Sequence, residues 1–258
     1  MGEIFVGTSG FSFADWVGEV YPAGIKKQEM LPYYEQVLGF KALEVNFTYY
    51  ALPSKRTMES FIARTSPDFL FAVKAYKGLT HERNEDPTGL MRLFKEGVAP
   101  LNGNMKSLLF QFPYGFIPNG RNLDYLKLLK DEFGEFGPVV EFRNVKWSDE
   151  RYMEILRGLS VGCCVVDEPE LAGLLPFKPV LTSDTGYFRF HGRNKNWFGA
   201  PMEVRYDYLY TKEELSGPLA AVKEVASKAA VTFVFFNNCH QGKAAKNGRM
   251  FLEMLKGG

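Results

Sequence analysis

A chain of 258 residues with 46% hydrophobic and 24% charged residues has the composition of an ordinary globular protein, long enough for one large α/β domain or two small ones. A formal net charge of +1 supplies no global field for nucleic acid or an anionic membrane, so any anion binding has to be local. Three cysteines, two of them adjacent at Cys163 and Cys164, offer neither a disulfide framework nor zinc-ligand spacing and fit a reduced, cytoplasmic protein.

Met1-Gly2-Glu3 leads straight into an apolar run without a signal-peptide pattern, and no apolar run approaches the roughly 20 residues of a membrane span. No membrane partner is therefore expected. Aromatic content is high, with 23 Phe and 13 Tyr. Sheet cores absorb such residues, and a stacking surface for sugars or bases is the other use for them.

Eight short apolar runs follow one another: Ile4–Thr8, Ala42–Phe47, Phe69–Ala75, Ser107–Phe112, Val139–Arg143, Val161–Asp167, Tyr187–His191 and Val231–Asn237. Most are followed by a helical pattern. Leu31–Gly39 is closed by Gly39 as a C-cap, and Ser54–Thr65 opens on Ser54 as an N-cap. A helix is expected around Thr88–Lys95, another over Leu123–Glu132, and a third over Ser148–Leu159 with Ser148 as its cap. Thr211-Lys-Glu-Glu214 is a capping box for a helix running to about Ala229, and Gly242–Leu255 ends the chain.

Strand and helix alternating about eight times predict a single-domain α/β protein, a (β/α)8 TIM barrel over residues 1–258. The runs are apolar on both faces, as parallel strands buried on both sides require. A doubly wound open sheet is the alternative, but no Gly-x-Gly-x-x-Gly turn follows the first strand; Gly7-Thr-Ser-Gly10 reads as a tight loop. Three connections are too long for plain turns: Ser9–Gly24, Lys77–Asn104 and Gly192–Tyr210. Each begins where a strand ends, which in a barrel places it at the C-terminal mouth.

Residues 187–198 are the most informative stretch. Alternation along a strand puts Tyr187, Arg189 and His191 on one face and Phe188 and Phe190 on the other. The Phe face suits a helix layer, while the Arg/His face needs polar partners or a ligand. The other strand ends add Glu44 and Asn46, Lys74, Gln111, Glu141 and Arg143, Asp167, Asn237 and Asn238. A ring of polar residues capping apolar strands is what an active site at a barrel mouth requires.

Those same segments carry a resemblance. Gly7-Thr-Ser-Gly-Phe-Ser-Phe-Ala-Asp-Trp16, Glu44-Val-Asn-Phe-Thr-Tyr-Tyr50, Phe71-Ala-Val-Lys-Ala-Tyr76, Gln111-Phe-Pro113, Glu141-Phe-Arg-Asn144, Tyr187-Phe-Arg-Phe-His-Gly-Arg193 and Phe236-Asn-Asn238, with the later Ala244 and Asn247, are similar to the YecE-like family, domain of unknown function 72. The resemblance runs in order over nearly the whole chain and implies a TIM barrel without implying a function. It departs at Gly248, where relatives typically carry Ala.

For acid–base chemistry the candidates are Glu44, Glu141, Asp167 and His191. Glu44 and Glu141, from strands nearly opposite in a barrel, are expected to lie too far apart for a glycosidase pair, which needs carboxyls about 5–10 Å apart. Glu141 with Asp167, from neighbouring strands, is the favoured pair. A divalent magnesium or manganese ion held by Glu141, Asp167 and His191 would suit oxygen-rich ligands, although no two histidines have ligand spacing. Neither a Gly-x-Ser-x-Gly elbow nor a demonstrated Cys/His dyad supports nucleophilic catalysis.

Substrate binding is assigned to Trp16, Asn46, Lys74, Gln111, Arg143, Arg189, Arg193, Trp197, Asn237 and Asn238. Arg143, Arg189, Arg193 and Lys74 outnumber the carboxylates Glu141 and Asp167 if Glu44 faces elsewhere, so an anionic small molecule is the expected partner. Arg193, Lys195, Asn237, Asn238 and Lys243 lie on the loops after strands seven and eight, where barrels often bind phosphate. Gly192–Tyr210 is expected to be a mobile lid with Trp197 over the pocket. Two other classes stay open: a nucleic-acid-binding or nucleic-acid-processing protein stacking bases on Trp16, Tyr49, Tyr50, Tyr76 and Trp197, and a non-catalytic ligand-binding module.

Overall fold

The computed structural model describes residues 2–83 and 87–257. Residues 84–86 of the long connection Lys77–Asn104, and Met1 of the opening segment, lie outside that range. Eight strands make one sheet: β1 Glu3–Thr8, β2 Ala42–Val45, β3 Leu70–Lys74, β4 Met105–Gln111, β5 Pro138–Glu141, β6 Gly162–Asp167, β7 Thr185–Phe190 and β8 Val231–Phe236. Every ladder is parallel, and the order β1-β8-β7-β6-β5-β4-β3-β2 is that of a barrel opened at one seam, not of a doubly wound sheet.

At the seam the Gly10 amide donates to Glu44 O at 2.9 Å, and Ser9 bridges Glu44. Gly7 permits this approach: a Cβ there would sit 2.2 Å from the Ala42 carbonyl oxygen. The seam therefore closes through backbone contact between β1 and β2, and any side chain at Gly7 would hold it apart.

Helices cover the outside: α1 Met30–Gln36, α2 Lys55–Ile62, α3 Thr88–Val98, α4 Gly120–Phe133, α5 Glu150–Leu159, α6 Met202–Arg205, α7 Lys212–Ala226 and α8 Lys243–Lys256. Their ends are chemically marked. Ser54 Oγ accepts the Thr57 amide, and Thr211 with Glu214 closes the capping box reciprocally. Gly39, at φ +80°, turns the chain after α1 as the sequence predicts. One cap differs from expectation: Asp149, not Ser148, caps α5, its carboxylate accepting the Arg151 amide, because Ser148 ends a short 3-10 turn. Residues 168–184 join β6 to β7 without a helix, a break in the alternation that the sequence reading passed over.

The pleat sorts the side chains. Ala42, Ala72, Leu109, Val139, Cys164, Val166, Tyr187, Phe233 and Phe235 form the barrel interior. Their neighbours Val165, Phe188, Phe190, Val234 and Phe236 pack outward with the helices. Cys163 and Cys164 accordingly point to opposite faces and remain free thiols. Among the described residues no helix is long and apolar enough to cross a membrane.

Candidate functional site

Continuing the inward parity of each strand predicts what reaches the mouth: Glu44 and Asn46 after Ala42, Lys74 after Ala72, Gln111 after Leu109, Glu141 and Arg143 after Val139. Arg189 and His191 follow Tyr187, and Asn237 follows Phe235. The structure brings these together in two tiers.

The lower tier is a buried charge network. Arg189, 1% exposed, donates from Nη1 to Glu141 Oε2 at 2.6 Å and from Nη2 to Glu44 Oε1 at 2.8 Å. Tyr187 donates its hydroxyl to Glu44 Oε2 at 2.7 Å. One guanidinium thus spans Glu44 and Glu141, which come from strands that are not neighbours in the sheet. Arg143 lies 2.7 Å from Glu141 Oε1 and donates at 2.8 Å to Glu168 Oε2. Burial opposes the charge on Glu141, but Arg143, Arg189 and His191 overcome it and hold the carboxyl well below the usual carboxylate range. Burial likewise opposes the charge on Arg189, and Glu141 with Glu44 overcomes it, keeping the guanidinium charged. Glu168 is pushed up to about 7, by burial first and by neighbouring Glu141, against the pull of Arg143.

His191 is fully buried against this network, with Nε2 3.3 Å from Glu141 Oε1 and Nδ1 2.9 Å from the Asn237 amide nitrogen. Burial and then Arg143 bring it down to about 3, so the ring is neutral. Because the Asn237 NH2 can only donate, Nδ1 is the acceptor and Nε2 carries the proton facing Glu141.

Above the network lies a cavity of about 400 Å³ at the C-terminal ends of the strands. Asn46, Lys74, Gln111, Arg143, Arg189 and Asn237 form its floor. Tyr49, Tyr50, His81 and Tyr114 form one side, and Trp197, Phe198, Arg205 and Tyr206 come from the loop after β7. Trp197 is 5% exposed, with the Arg205 guanidinium 5.5 Å and the Arg143 guanidinium 5.9 Å from its ring. Lys74 donates to Gln111 Oε1 at 3.0 Å and sits 4.5 Å over the Tyr49 ring. Neither Lys74 nor Arg205 makes an ion pair with a described residue. Asn46 Oδ1 and Arg189 Nε, in the cavity wall, have no hydrogen-bond partner among the described residues.

Five of the sequence candidates lie elsewhere. Val166 faces inward, so Asp167 faces the helix layer, where it takes two bonds from Arg193 at 2.9 and 2.7 Å and one from Tyr210 at 2.6 Å. Asp167 is therefore no partner of Glu141, and Arg193 is spent on Asp167. Asn238 also points outward, donating to Tyr208 O and Asn247. Trp16 is buried against Phe13 and Tyr21, its indole nitrogen donating to Cys239 O at 2.7 Å. Lys243 pairs with Asp207, so it is not a free cation of the mouth. Since Asp167 and Glu141 face opposite sides of the barrel wall, the donor set Glu141, Asp167 and His191 does not converge. Among the described residues no group of three or more His, Cys, Asp and Glu is arranged to hold a metal ion.

The sequence reading missed Glu168, His81, Arg205 and Tyr206. The signal for Glu168 was present, since Cys164 and Val166 facing inward put residue 168 inward as well. The last two sit at the end of the one-turn helix α6 and just after it, too short a stretch for a period to show.

Eight parallel strands, an outer helical layer and a polar cavity at the strand C-termini define a (β/α)8-barrel protein. The family model described as "Protein of unknown function DUF72" matches residues 5–258, and the chain belongs to that family. UPF0759 protein YunF of Bacillus subtilis (strain 168) is 32% identical over 271 residues, covering 98% of this chain and 94% of that protein. A DUF72 family protein of Thermotoga maritima shares 44% identity and superposes with a TM-score of 0.92, covering 98% of this chain and 99% of its own. Another, from Enterococcus faecalis V583, has the same fold at 24% identity, with a TM-score of 0.84 over 99% of this chain and 98% of its own.

Proposed function

We propose that the chain is an enzyme acting on a small anionic molecule, phosphorylated or carboxylated, held in the barrel-mouth cavity. The observation that carries this reading is the Arg205 guanidinium, which faces the cavity without an ion-pair partner among the described residues, beside a Lys74 nitrogen that is likewise unpaired. The cation excess argued from sequence is smaller than expected, because Glu44 faces inward and Glu168 joins it. Arg189 and Arg143 are consequently held by carboxylates, and the anion falls to Arg205, with the Lys74 nitrogen beside it.

The amide groups of Asn46, Gln111 and Asn237 supply further directional contacts, and Trp197 and Tyr206 wall off solvent from the side of the loop. Glu44 and Glu141 act from below by fixing the guanidinium groups, with His191 placed between Glu141 and Asn237. Lys74 is the group on the cavity floor suited to exchanging a proton near neutrality: burial and Arg189 bring it down to about 7.

A ligand that binds only the folded state raises the melting temperature with its affinity. Orthophosphate, glucose 6-phosphate, AMP, citrate and glucose are the probes, at several salt concentrations. Phosphorylated and carboxylated probes are expected to stabilise the protein, with a loss of at least about tenfold in apparent affinity for Arg205→Ala, since a charge-assisted hydrogen bond contributes ~1.5–3 kcal/mol. Stabilisation by glucose alone would overturn the reading.

A further inference from the structure

We infer that the Lys74 amine forms an imine with its substrate, so that the small anion of the proposed function is an aldehyde or a ketone bearing a carboxylate or phosphate. The inference rests on that reading and narrows it to a carbonyl compound.

Position comes first. Lys74 is the last residue of β3, on the inward parity of Ala72, and reaches the cavity floor from a rigid strand end. Its partners are those an amine tolerates as well as an ammonium does. Gln111 Nε2 donates to Phe112 O at 2.8 Å, which turns Oε1 toward Lys74 Nζ as a neutral acceptor. Tyr49 offers a ring face, not a carboxylate. A lysine destined only for structural pairing would be expected on Glu44 or Glu141, yet both carboxylates are occupied by Arg189.

Burial favours the free amine. Burial is the largest influence on Lys74, followed by repulsion from Arg189; Arg143 adds to it, while Glu141 and Glu44 oppose it. His81, which lines the same cavity from the β3–α3 connection, is itself brought down to about 4, chiefly by burial, and so adds neither a positive charge nor a counter-ion beside Lys74. A lysine whose ammonium is lost near pH 7 is a nucleophile at that pH, which an exposed lysine is not.

The step balances without a further reagent. The amine lone pair attacks the carbonyl carbon, giving a carbinolamine. One N–H proton passes to the oxygen in the carbinolamine, the proton that the ammonium had given up to solvent returns to that hydroxyl, and the C–O bond breaks with loss of water, leaving a protonated imine on Nζ that keeps the remaining N–H hydrogen. That cation can draw electrons from a bond at the adjacent carbon.

Reductive trapping tests the proposal. The full chain is incubated with glyoxylate, pyruvate or dihydroxyacetone phosphate and sodium cyanoborohydride, which delivers hydride to an imine carbon, and the labelled lysines are mapped by peptide mass. With at least one probe, Lys74 is expected to label at least about tenfold faster at pH 7 than exposed Lys146 and Lys228, with half-maximal rate near pH 7. Citrate should slow the labelling. Labelling of Lys74 no faster than of Lys146 with all three probes would overturn the imine. If citrate and orthophosphate still stabilise the protein in that case, the anion site stands alone. Trapping at Lys74 that citrate and orthophosphate neither slow nor accompany with stabilisation would support the imine and remove the anion site.

Discussion

Arg189 Nη2 lies 2.8 Å from Glu44 Oε1 across the barrel interior, and the same guanidinium reaches Glu141 through Nη1. β7, β2 and β5 are not neighbours in the sheet, so this one side chain ties three separated parts of the wall. It acts as an internal strut beneath the cavity, and its energetic role is to neutralise two buried carboxylates.

Arg189→Ala is therefore expected to destabilise the fold by about 3–5 kcal/mol, since it strands Glu44 and Glu141 as buried charges with one partner removed. Urea unfolding measures it. Arg189→Ala combined with Glu44→Gln should recover part of that loss. A cost below ~1 kcal/mol for Arg189→Ala would mean that water enters the network freely. The size of the effect also makes Arg189 a poor probe of ligand binding, which is why Arg205 serves that purpose.

Two buried groups give stability an internal compensation between pH 4.5 and 6.5. His191 is brought from 6.5 to about 3, so the unfolded chain binds a proton there that the folded chain refuses, and stability falls as pH falls. Glu168 is raised from 4.5 to about 7, so the folded chain binds the proton instead, and stability rises as pH falls. The two slopes oppose each other. Glu168→Gln removes one of them and keeps the acceptor for the Leu175 amide. The variant should lose ground to the parent by up to ~1.4 kcal/mol for each unit of acidification in that window. Parallel stability–pH curves for the two proteins would show that Glu168 titrates normally.

Inward parity decided which site residues were legible. Tyr187, Arg189 and His191 could be placed from alternation alone because β7 is regular to its end. Asp167 and Asn238 were misplaced because the end of a strand was taken as sufficient, when Val166 and Phe235 facing inward assign the mouth to Glu168 and Asn237. Trp16 ends a three-residue 3-10 turn, and Arg205 and Tyr206 lie at and just after the end of the one-turn helix α6, elements too short for a spacing rule to reach. The strands themselves were readable because their apolar runs are short, two-sided and separated by marked helix caps. Gly7 at the seam was legible only as a turn, since its role is a contact with β2, more than thirty residues away.

Gly248 matters for packing. It is buried in α8, and a Cβ there would meet the Phe40 ring at 2.8 Å, with Phe40 itself fully buried against Tyr34. Gly248→Ala gains helix propensity of about 1 kcal/mol but forces that ring to move, and overpacking of this kind costs about 1–3 kcal/mol. The expected sum is a lowered or at best unchanged melting temperature. Phe40→Leu should restore the benefit of the alanine in the double variant. An increase in melting temperature for Gly248→Ala alone would show that Phe40 yields without strain.

Asp167 pins the loop that carries Trp197 and Tyr206. Its carboxylate takes two bonds from Arg193 near the start of the loop and one from Tyr210 at its end, and the Tyr210 hydroxyl in turn accepts the Gly192 amide at 2.8 Å. One outward-facing residue thus clamps both ends of residues 192–210, leaving the middle to pack over the cavity. Asp167→Asn keeps an oxygen for Tyr210 but loses the charged fork on Arg193. Hydrogen bonds to charged groups contribute roughly 1.5–3 kcal/mol, and Arg193 is part-exposed, so the lower end applies. Amide hydrogen exchange over residues 192–210 should accelerate about tenfold, while exchange in β1–β5 stays unchanged. If the loop closes on a bound anion, citrate or orthophosphate should slow exchange in both proteins, and more ligand should be needed in Asp167→Asn because part of the binding energy goes into ordering the loop. Unchanged exchange across 192–210 in Asp167→Asn would place the clamp in the packing of Trp197 against Tyr206 instead.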